Sequence, residues 1–319
     1  MPTDALYVEL KKFGRVKANE PLAKHTTFQI GGPAKYFITV DNREKLIGLL
    51  DYIAGNGLDY FIIGGGSNLL FGDDEFDGVV IKICTTKEPE FIKKNDKFNI
   101  KVEAGVSLGA VVNLAAQNGL TGMEWAIGIP GTVGGAVRGN AGAMGKDMSH
   151  AVKEVEVWRD GEILNLTPKE CRFDYRDSGF KYNKDVILSA GLFLEKGDKK
   201  AIMAAVQKHM IQRAGRITQL PSPGSFFKNI KLSKWPGDTK QLPELYVRRG
   251  TVPAGWMIDQ LDLRGLSEGG AKISDEHGNF IVNINQATQK DVLTLVDIIK
   301  EKVYNKFRVE LEMEVQVVN

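Results

Sequence analysis

Apolar positions recur at helical spacing at several places along the chain. Val292, Leu295, Val296, Ile299 and Val303 form one stripe, which predicts a core-facing helix over Gln289–Phe307. Thr288 suits its N-cap, with Asp291 in the first turn. Ile47, Leu49, Leu50 and Ile53 form a second stripe, stopped by Gly55 and Gly57. Leu108–Gln117, closed by Gly119, and residues 200–213 and 256–261 read as further helices. Short apolar runs at Tyr60–Ile63, 79–83, 98–103, 186–195 and 280–283 read as strands. Residues 152–158 and Glu162–Leu166 flank Asp160-Gly161, a hairpin signal. The tail alternates, with Val309, Leu311, Met313, Val315 and Val317 on one face and Glu310, Glu312, Glu314 and Gln316 on the other. That predicts a half-buried strand, and its parity cannot choose among the three carboxylates. Strands and helices alternate but include a hairpin, so the expected class is α+β or mixed α/β.

Length and charge narrow the picture. A chain of 319 residues exceeds one ordinary core, and the pattern divides it at 1–88, 89–216 and 217–319. A net charge of +2 without a dense Lys/Arg block argues against a nucleic-acid partner. Cys84 and Cys171 stand apart in apolar surroundings, so they read as core residues of a reducing compartment, without a disulfide framework or metal-ligand spacing. No basic start followed by an apolar run, and no apolar run of membrane-spanning length, is present, so a cytoplasmic protein without membrane insertion is expected.

The candidate chemistry lies first in the glycines. Gly64-Gly65-Gly66-Ser67-Asn68 follows an apolar strand, and Gly128-Ile129-Pro130-Gly131-Thr132-Val133-Gly134-Gly135-Ala136 forms a second cluster, with Gly31-Gly32 a possible third contact. Glycine lets main-chain N–H groups approach an anion with no Cβ in the way, and two such turns point to a dinucleotide. Neither common motif fits. Leu69 stands where the G-x-G-x-x-G pattern needs its last glycine, and Gly145-Lys146 lacks both the P-loop's earlier glycine and its Ser/Thr.

Seven segments resemble, in order, the UDP-N-acetylenolpyruvoylglucosamine reductase family. They are His25-Thr26-Thr27-Phe28 with Ile30-Gly31-Gly32-Pro33-Ala34; residues 64–70; residues 128–136 with Asn140-Ala141-Gly142-Ala143; Phe173-Asp174-Tyr175-Arg176-Asp177-Ser178; Gly224-Ser225-Phe226-Phe227-Lys228-Asn229; Ala254-Gly255-Trp256-Met257-Ile258; and Leu311-Glu312-Met313-Glu314-Val315. The resemblance implies two N-terminal FAD-binding domains of the vanillyl-alcohol-oxidase (PCMH) type and a C-terminal α+β substrate-binding domain. It implies bound FAD, NADPH as hydride donor and a UDP-sugar substrate; a monomer in the cytoplasm is expected. The implied reaction takes a hydride from flavin N5 to the vinyl carbon of an enolpyruvyl ether and a proton from Ser225, in the peptidoglycan synthesis that serves cell shape and division. The short stretch between Arg176 and Ser225 resembles the subtype without an inserted covering loop.

Residue by residue, the resemblance implies Arg176, Ser225 and Glu314 as catalytic, and Gly64, Gly65, Gly66, Ser67, Asn68, Gly128, Ile129, Pro130, Gly131, Thr132, Gly134, Gly135 and Ala136 as the cofactor cradle. Asn229 matches a substrate-binding position. Lys228 reads equally as a phosphate partner and a surface lysine, and His277 as a structural histidine before a substrate contact. Taken alone, Ser225 is a turn serine; for Arg176 an ion pair with Asp174 or Asp177 is the lesser alternative. Gln316, Met144 and Arg138-Gly139 depart from the family pattern. An oxidase or dehydrogenase of the same superfamily and a non-catalytic nucleotide-sugar binder are the rival functions. Neither needs Arg176, Ser225 and Glu314 together.

Overall fold

The structure is a computed structural model that describes residues 4–84, 87–94, 97–214 and 218–319. It divides into two compact units. The first comprises Met1–Glu20, Ala34–Gly65 and Asp77–Gly215, and the second Pro21–Pro33, Gly66–Phe76 and Arg216–Asn319. Residues 88 and 89 fall inside the first unit, and the expected boundary at 216/217 lies outside the described residues.

The first unit holds two sheets. One is four-stranded, in the order Arg15–Pro21, Pro33–Val40, Phe76–Ile83, Tyr60–Ile63. Its last pair is parallel, and the connection between those two strands carries no helix but the short strand Leu69–Phe71 of the second unit. Asp77-Gly78, expected to precede a strand, lies within Phe76–Ile83. Helix Arg43–Gly55 covers this sheet with Leu46, Leu49, Leu50 and Ile53. Ile47, placed in the stripe by periodicity, is only half-buried, and Leu46 takes its place.

The other sheet is antiparallel, in the order Glu162–Leu166, Val152–Arg159, Val186–Lys196, Lys97–Glu103, Glu90–Lys94, with Leu120–Thr121 also on Val186–Lys196. Asp160 and Gly161 take φ of 49° and 88° between Arg159 and Glu162. Positive φ at both central residues is the conformation that matches the right-handed twist of a hairpin. Val186–Lys196 is buried almost throughout because neighbours flank it on both edges. Helix Leu108–Gln117 adds Val111, Val112, Ala115 and Ala116 to its core, where Cys171 is also buried. Burial pushes the Cys171 thiol up to about 12, with Glu170 and Asp185 adding to the shift, so the thiol stays protonated and inert at neutral pH.

The second unit is built on helix Gln289–Phe307. Val292, Leu295, Val296, Ile299 and Val303 are all at most 1% exposed, and each contributes about 1.5–3 kcal/mol on burial. Around it lie the antiparallel strands Ser267–Glu268, Ala271–Ile273 and Ile281–Asn283, and the parallel pair Leu69–Phe71 with Gln316–Val318. The tail corrects one expectation. Val309, Leu311 and Val315 are buried as the alternation requires, but the named strand begins only at Gln316. There the phase slips, so that Val318 is buried and Val317 is not. Among the described residues no helix is long and apolar enough to cross a membrane.

Candidate active site

The two glycine clusters meet in the first unit. A Cβ on Gly65 would stand 2.7 Å from Gly131 Cα, and one on Gly64 would run into Thr132 Oγ1. The turns therefore touch main chain to main chain, and only glycine allows it. The second cluster is pinned to the neighbouring strand end. Val133 N–H donates to Val106 O and Gly134 N–H to Ala104 O, each at 2.9 Å, and Leu108 N–H donates to Gly131 O at 3.1 Å. Gly134 has no room for a side chain, since its Cβ would lie 2.8 Å from that of Ala104. Gly128 and Gly131 take φ of 73° and 119°. Ile129 and Pro130 lie between them, and Thr132 caps helix Val133–Gly139, which contains Gly135 and Ala136. The chain passes from the first unit to the second between Gly65 and Gly66. Gly66 (φ 63°), Ser67 and Asn68 belong to the second unit, where Thr27 N–H donates to Gly66 O at 3.1 Å. Gly31 and Gly32, the suggested third contact, lie close against Phe71 and Asp73, with no room for a side chain at either.

At the far end of that helix stands Arg176. Asp174 and Asp177 exchange two N–H···O=C bonds, both 3.0 Å, and close a turn whose central residues are Tyr175 and Arg176. Arg176 has φ of +54°, left-handed backbone that costs an L-residue about 1 kcal/mol. Its Nη2 donates to Gly142 O at 2.6 Å, and its guanidinium lies 5.1 Å from the Tyr175 ring centre. Asn140 Nδ2 donates to Asp174 O at 2.8 Å, and Ser178 Oγ to Arg138 O at 2.6 Å. Both are nearly sealed from solvent. Arg138 is half-buried, and burial pulls its guanidinium down from the ordinary arginine value against the opposing charge of Asp177.

Ser225 and Glu314 lie in the second unit and are brought together by strand pairing between distant segments. Phe227 bridges Met313, Glu314 N–H donates to Phe226 O at 2.8 Å, and Lys228 N–H donates to Glu312 O at 2.9 Å. Glu314 is thus paired with Phe226, one residue from Ser225, which itself bridges Phe280. The choice that parity left open is narrowed by exposure, since Glu310 and Glu312 are exposed and Glu314 is half-buried. Lys228 is not a surface lysine. It is 8% exposed, and its Nζ reaches Glu312 Oε1 at 2.5 Å. Asn229 Oδ1 accepts from Ala254 N–H at 3.2 Å. His277 Nδ1 accepts from Asn279 N–H at 3.1 Å, and its ring packs 4.7 Å from Phe280, the bridge partner of Ser225.

Asn140 and Ser178 carry no signal in the sequence as site residues. Each lies within a matched motif, yet only the fold shows what each holds. The glycine turns fit a diphosphate in that they approach without side chains between them, while the N–H groups of Ile129, Val133, Gly134, Gly135 and Ala136 are spent within the protein.

Comparison with known proteins agrees with that fit. Residues 34–167 match the FAD binding domain family, and residues 216–318 match the C-terminal domain of UDP-N-acetylenolpyruvoylglucosamine reductase. The molecule is therefore an FAD-dependent oxidoreductase of the α+β class. The reductase of that name from Anoxybacillus flavithermus is 40% identical over 310 residues, covering 96% of this chain and 95% of the relative. The Bacillus subtilis enzyme is 36% identical over 97% of this chain and 95% of its own. The crystal structure of the Thermus caldophilus reductase MurB superposes with a TM-score of 0.76 at 34% identity, covering 96% of this chain and all of that one. The chain belongs to the UDP-N-acetylenolpyruvoylglucosamine reductase family, enzymes of peptidoglycan precursor synthesis.

Proposed function

We propose that the protein reduces UDP-N-acetylglucosamine enolpyruvate to UDP-N-acetylmuramate, with NADPH as reductant. When bound, FAD would supply the hydride chemistry that links NADPH to addition at the vinyl carbon. That addition leaves negative charge on the carbon bearing the carboxylate, which then needs a charge partner and a proton. Arg176 supplies the charge partner, because a guanidinium meets a carboxylate with two parallel charge-assisted bonds. Ser225 supplies the proton. A hydroxyl is a weak acid, but a carbon enolate is a strong base, so the transfer runs downhill. Glu314 is the third catalytic residue. The observation that supports this assignment is the main-chain pairing of Glu314 with Phe226, next to Ser225 in the chain. Gly64, Gly65, Gly66, Ser67, Asn68, Gly128, Ile129, Pro130, Gly131, Thr132, Gly134, Gly135 and Ala136 form the cradle that would hold the cofactor. Asn229 and His277 line the substrate, and Lys228 meets substrate phosphate once it releases Glu312.

The test separates the two half-reactions in the absence of oxygen. In Ser225→Ala, NADPH bleaches the flavin at the wild-type rate, while reoxidation by the UDP-enolpyruvyl sugar slows by about 10²–10⁴-fold. Reoxidation at the wild-type rate would remove Ser225 as the acid.

A further inference from the structure

The turn that carries Arg176 is strained, and its own two hydrogen bonds are not all that holds it. Asn140 closes helix Val133–Gly139 in left-handed backbone, φ +43°, and is 1% exposed. Both ends of its amide are used on main chain. Nδ2 donates to Asp174 O at 2.8 Å and Oδ1 accepts from Ser149 N–H at 3.1 Å. A buried amide costs free energy that an apolar side chain would not, unless its bonds serve a geometry. Two residues further on, Gly142 O accepts from Arg176 Nη2 at 2.6 Å, and a Cβ at Gly142 would stand 2.7 Å from Arg176 Nη1. One short segment, residues 140–142, thus holds Arg176 twice, by its turn through Asp174 and by its guanidinium through Gly142. The same helix begins in the glycine cradle.

We propose that Asn140 is a positioning residue, which fixes the Arg176 guanidinium relative to the cradle by clamping the Asp174–Asp177 turn. The inference rests on the reading of Arg176 as the charge partner of the enolate. Two variants test it in the FAD-loaded enzyme. Asn140→Asp keeps the acceptor toward Ser149 and loses the donor toward Asp174, and Asn140→Gly loses both while tolerating the left-handed backbone. Amide exchange over residues 174–177, read by mass spectrometry, accelerates at least about tenfold in both, since an opened hydrogen bond exposes the N–H. Flavin reoxidation by the UDP-enolpyruvyl sugar slows about 100-fold, the scale of a 1 Å misplacement, and flavin absorbance per chain stays at the wild-type value. Adding Asn140→Asp to Arg176→Lys produces no loss beyond that of Arg176→Lys alone, the non-additivity of two changes in one network. A purely structural residue would give additive losses, and additive losses, or wild-type exchange and turnover, overturn the proposal. If Arg176→Lys itself turns over like wild type, the reading of Arg176 falls instead, while the exchange measurement still reports the clamp. Should the Asn140 variants not fold, Ser178→Ala cuts the bond to Arg138 O on the other flank of the turn. Its loss is likewise absorbed by Arg176→Lys, and an additive loss there overturns the proposal.

Discussion

Asn140 and Asn68 each donate Nδ2 to the carbonyl of a segment bearing a candidate catalytic residue, to Asp174 O at 2.8 Å in the first unit and to Glu314 O at 3.0 Å in the second. The constraint around them differs. Asn140 is sealed from water and secures a two-residue turn in left-handed backbone. Asn68 is half-buried and helps a ladder that also has Glu314 N–H on Phe226 O, Lys228 N–H on Glu312 O, and Gln316 N–H on Asn68 O at 3.1 Å. The Arg176 turn is held at several points, Lys181 Nζ donating to Arg176 O at 2.6 Å among them, but it is strained and rests on a sealed amide, whereas the ladder at Glu314 contains no residue in left-handed backbone. Loss of the sealed amide is therefore costly at the first place, and loss of one bond is shared at the second.

The largest expected effect follows from Arg176 itself. Arg176→Ala lowers the rate of reoxidation by the enolpyruvyl substrate by about 10²–10³-fold, the usual loss on removing one preorganised charge partner. Arg176→Lys recovers little of it, because an ammonium lacks the planar fork. A lysine variant within a few-fold of wild type would reduce the arginine to a bare charge and undo the contrast. Next comes Gly66→Ala. Gly66 has φ of +63°, and a Cβ there would collide with His25 O. The change costs the second unit about 2–4 kcal/mol, read from its unfolding in urea. If FAD affinity falls while stability does not, the glycine serves only the cofactor. Asn68→Ala should cost about 1 kcal/mol, one hydrogen bond in a shared ladder. In the flavin-loaded protein it should slow reoxidation less than Asn140→Asp does. A loss rivalling that of Asn140→Asp would show that the ladder is no sturdier than the turn.

How far these features are legible in sequence depends on whether their cause is local. Helix Gln289–Phe307 and the Asp160-Gly161 hairpin are legible because a stripe or a turn residue dictates them within a few positions. Ile47 misleads because an amphipathic helix is centred by what it packs on, which the stripe alone does not contain. The tail alternation reads correctly to Val315 and then slips, since Gln316–Val318 takes its register from Leu69–Phe71, far away in the chain. Ser225 and Glu314 illustrate the limit. Residues 225–228 carry no alternation that announces a partner, and among Glu310, Glu312 and Glu314 only the fold shows which carboxylate is half covered. The glycine clusters announce an anion site, but that Gly65 faces Gly131 is visible only in three dimensions.

The smallest effect falls on helix Gln289–Phe307 and concerns charge alone. Thr288 and Asp291 form a capping box, in which Asp291 N–H donates to Thr288 Oγ1 at 3.1 Å and Asp291 Oδ2 accepts from Thr288 N–H at 3.0 Å and from Gly270 N–H at 3.1 Å. The bond from the Thr288 main chain, aided by that from Gly270, holds the Asp291 carboxyl below its ordinary value. A carboxylate depressed in the folded state stabilises the fold above the ordinary carboxylate range, and that contribution is lost as pH falls through the lower, folded value. Asp291→Asn keeps an acceptor and removes the charge at a helix N-terminus. It should therefore be about 0.5 kcal/mol less stable than wild type at neutral pH. The gap should close as the pH is taken well below about 4, where the wild-type carboxylate is also neutral. Unfolding curves at both pH values check this. A gap that persists in acid would assign the loss to altered hydrogen bonding, and the start of this helix would then be held, like the ladder at Glu314, by shared bonds in which no single charge matters.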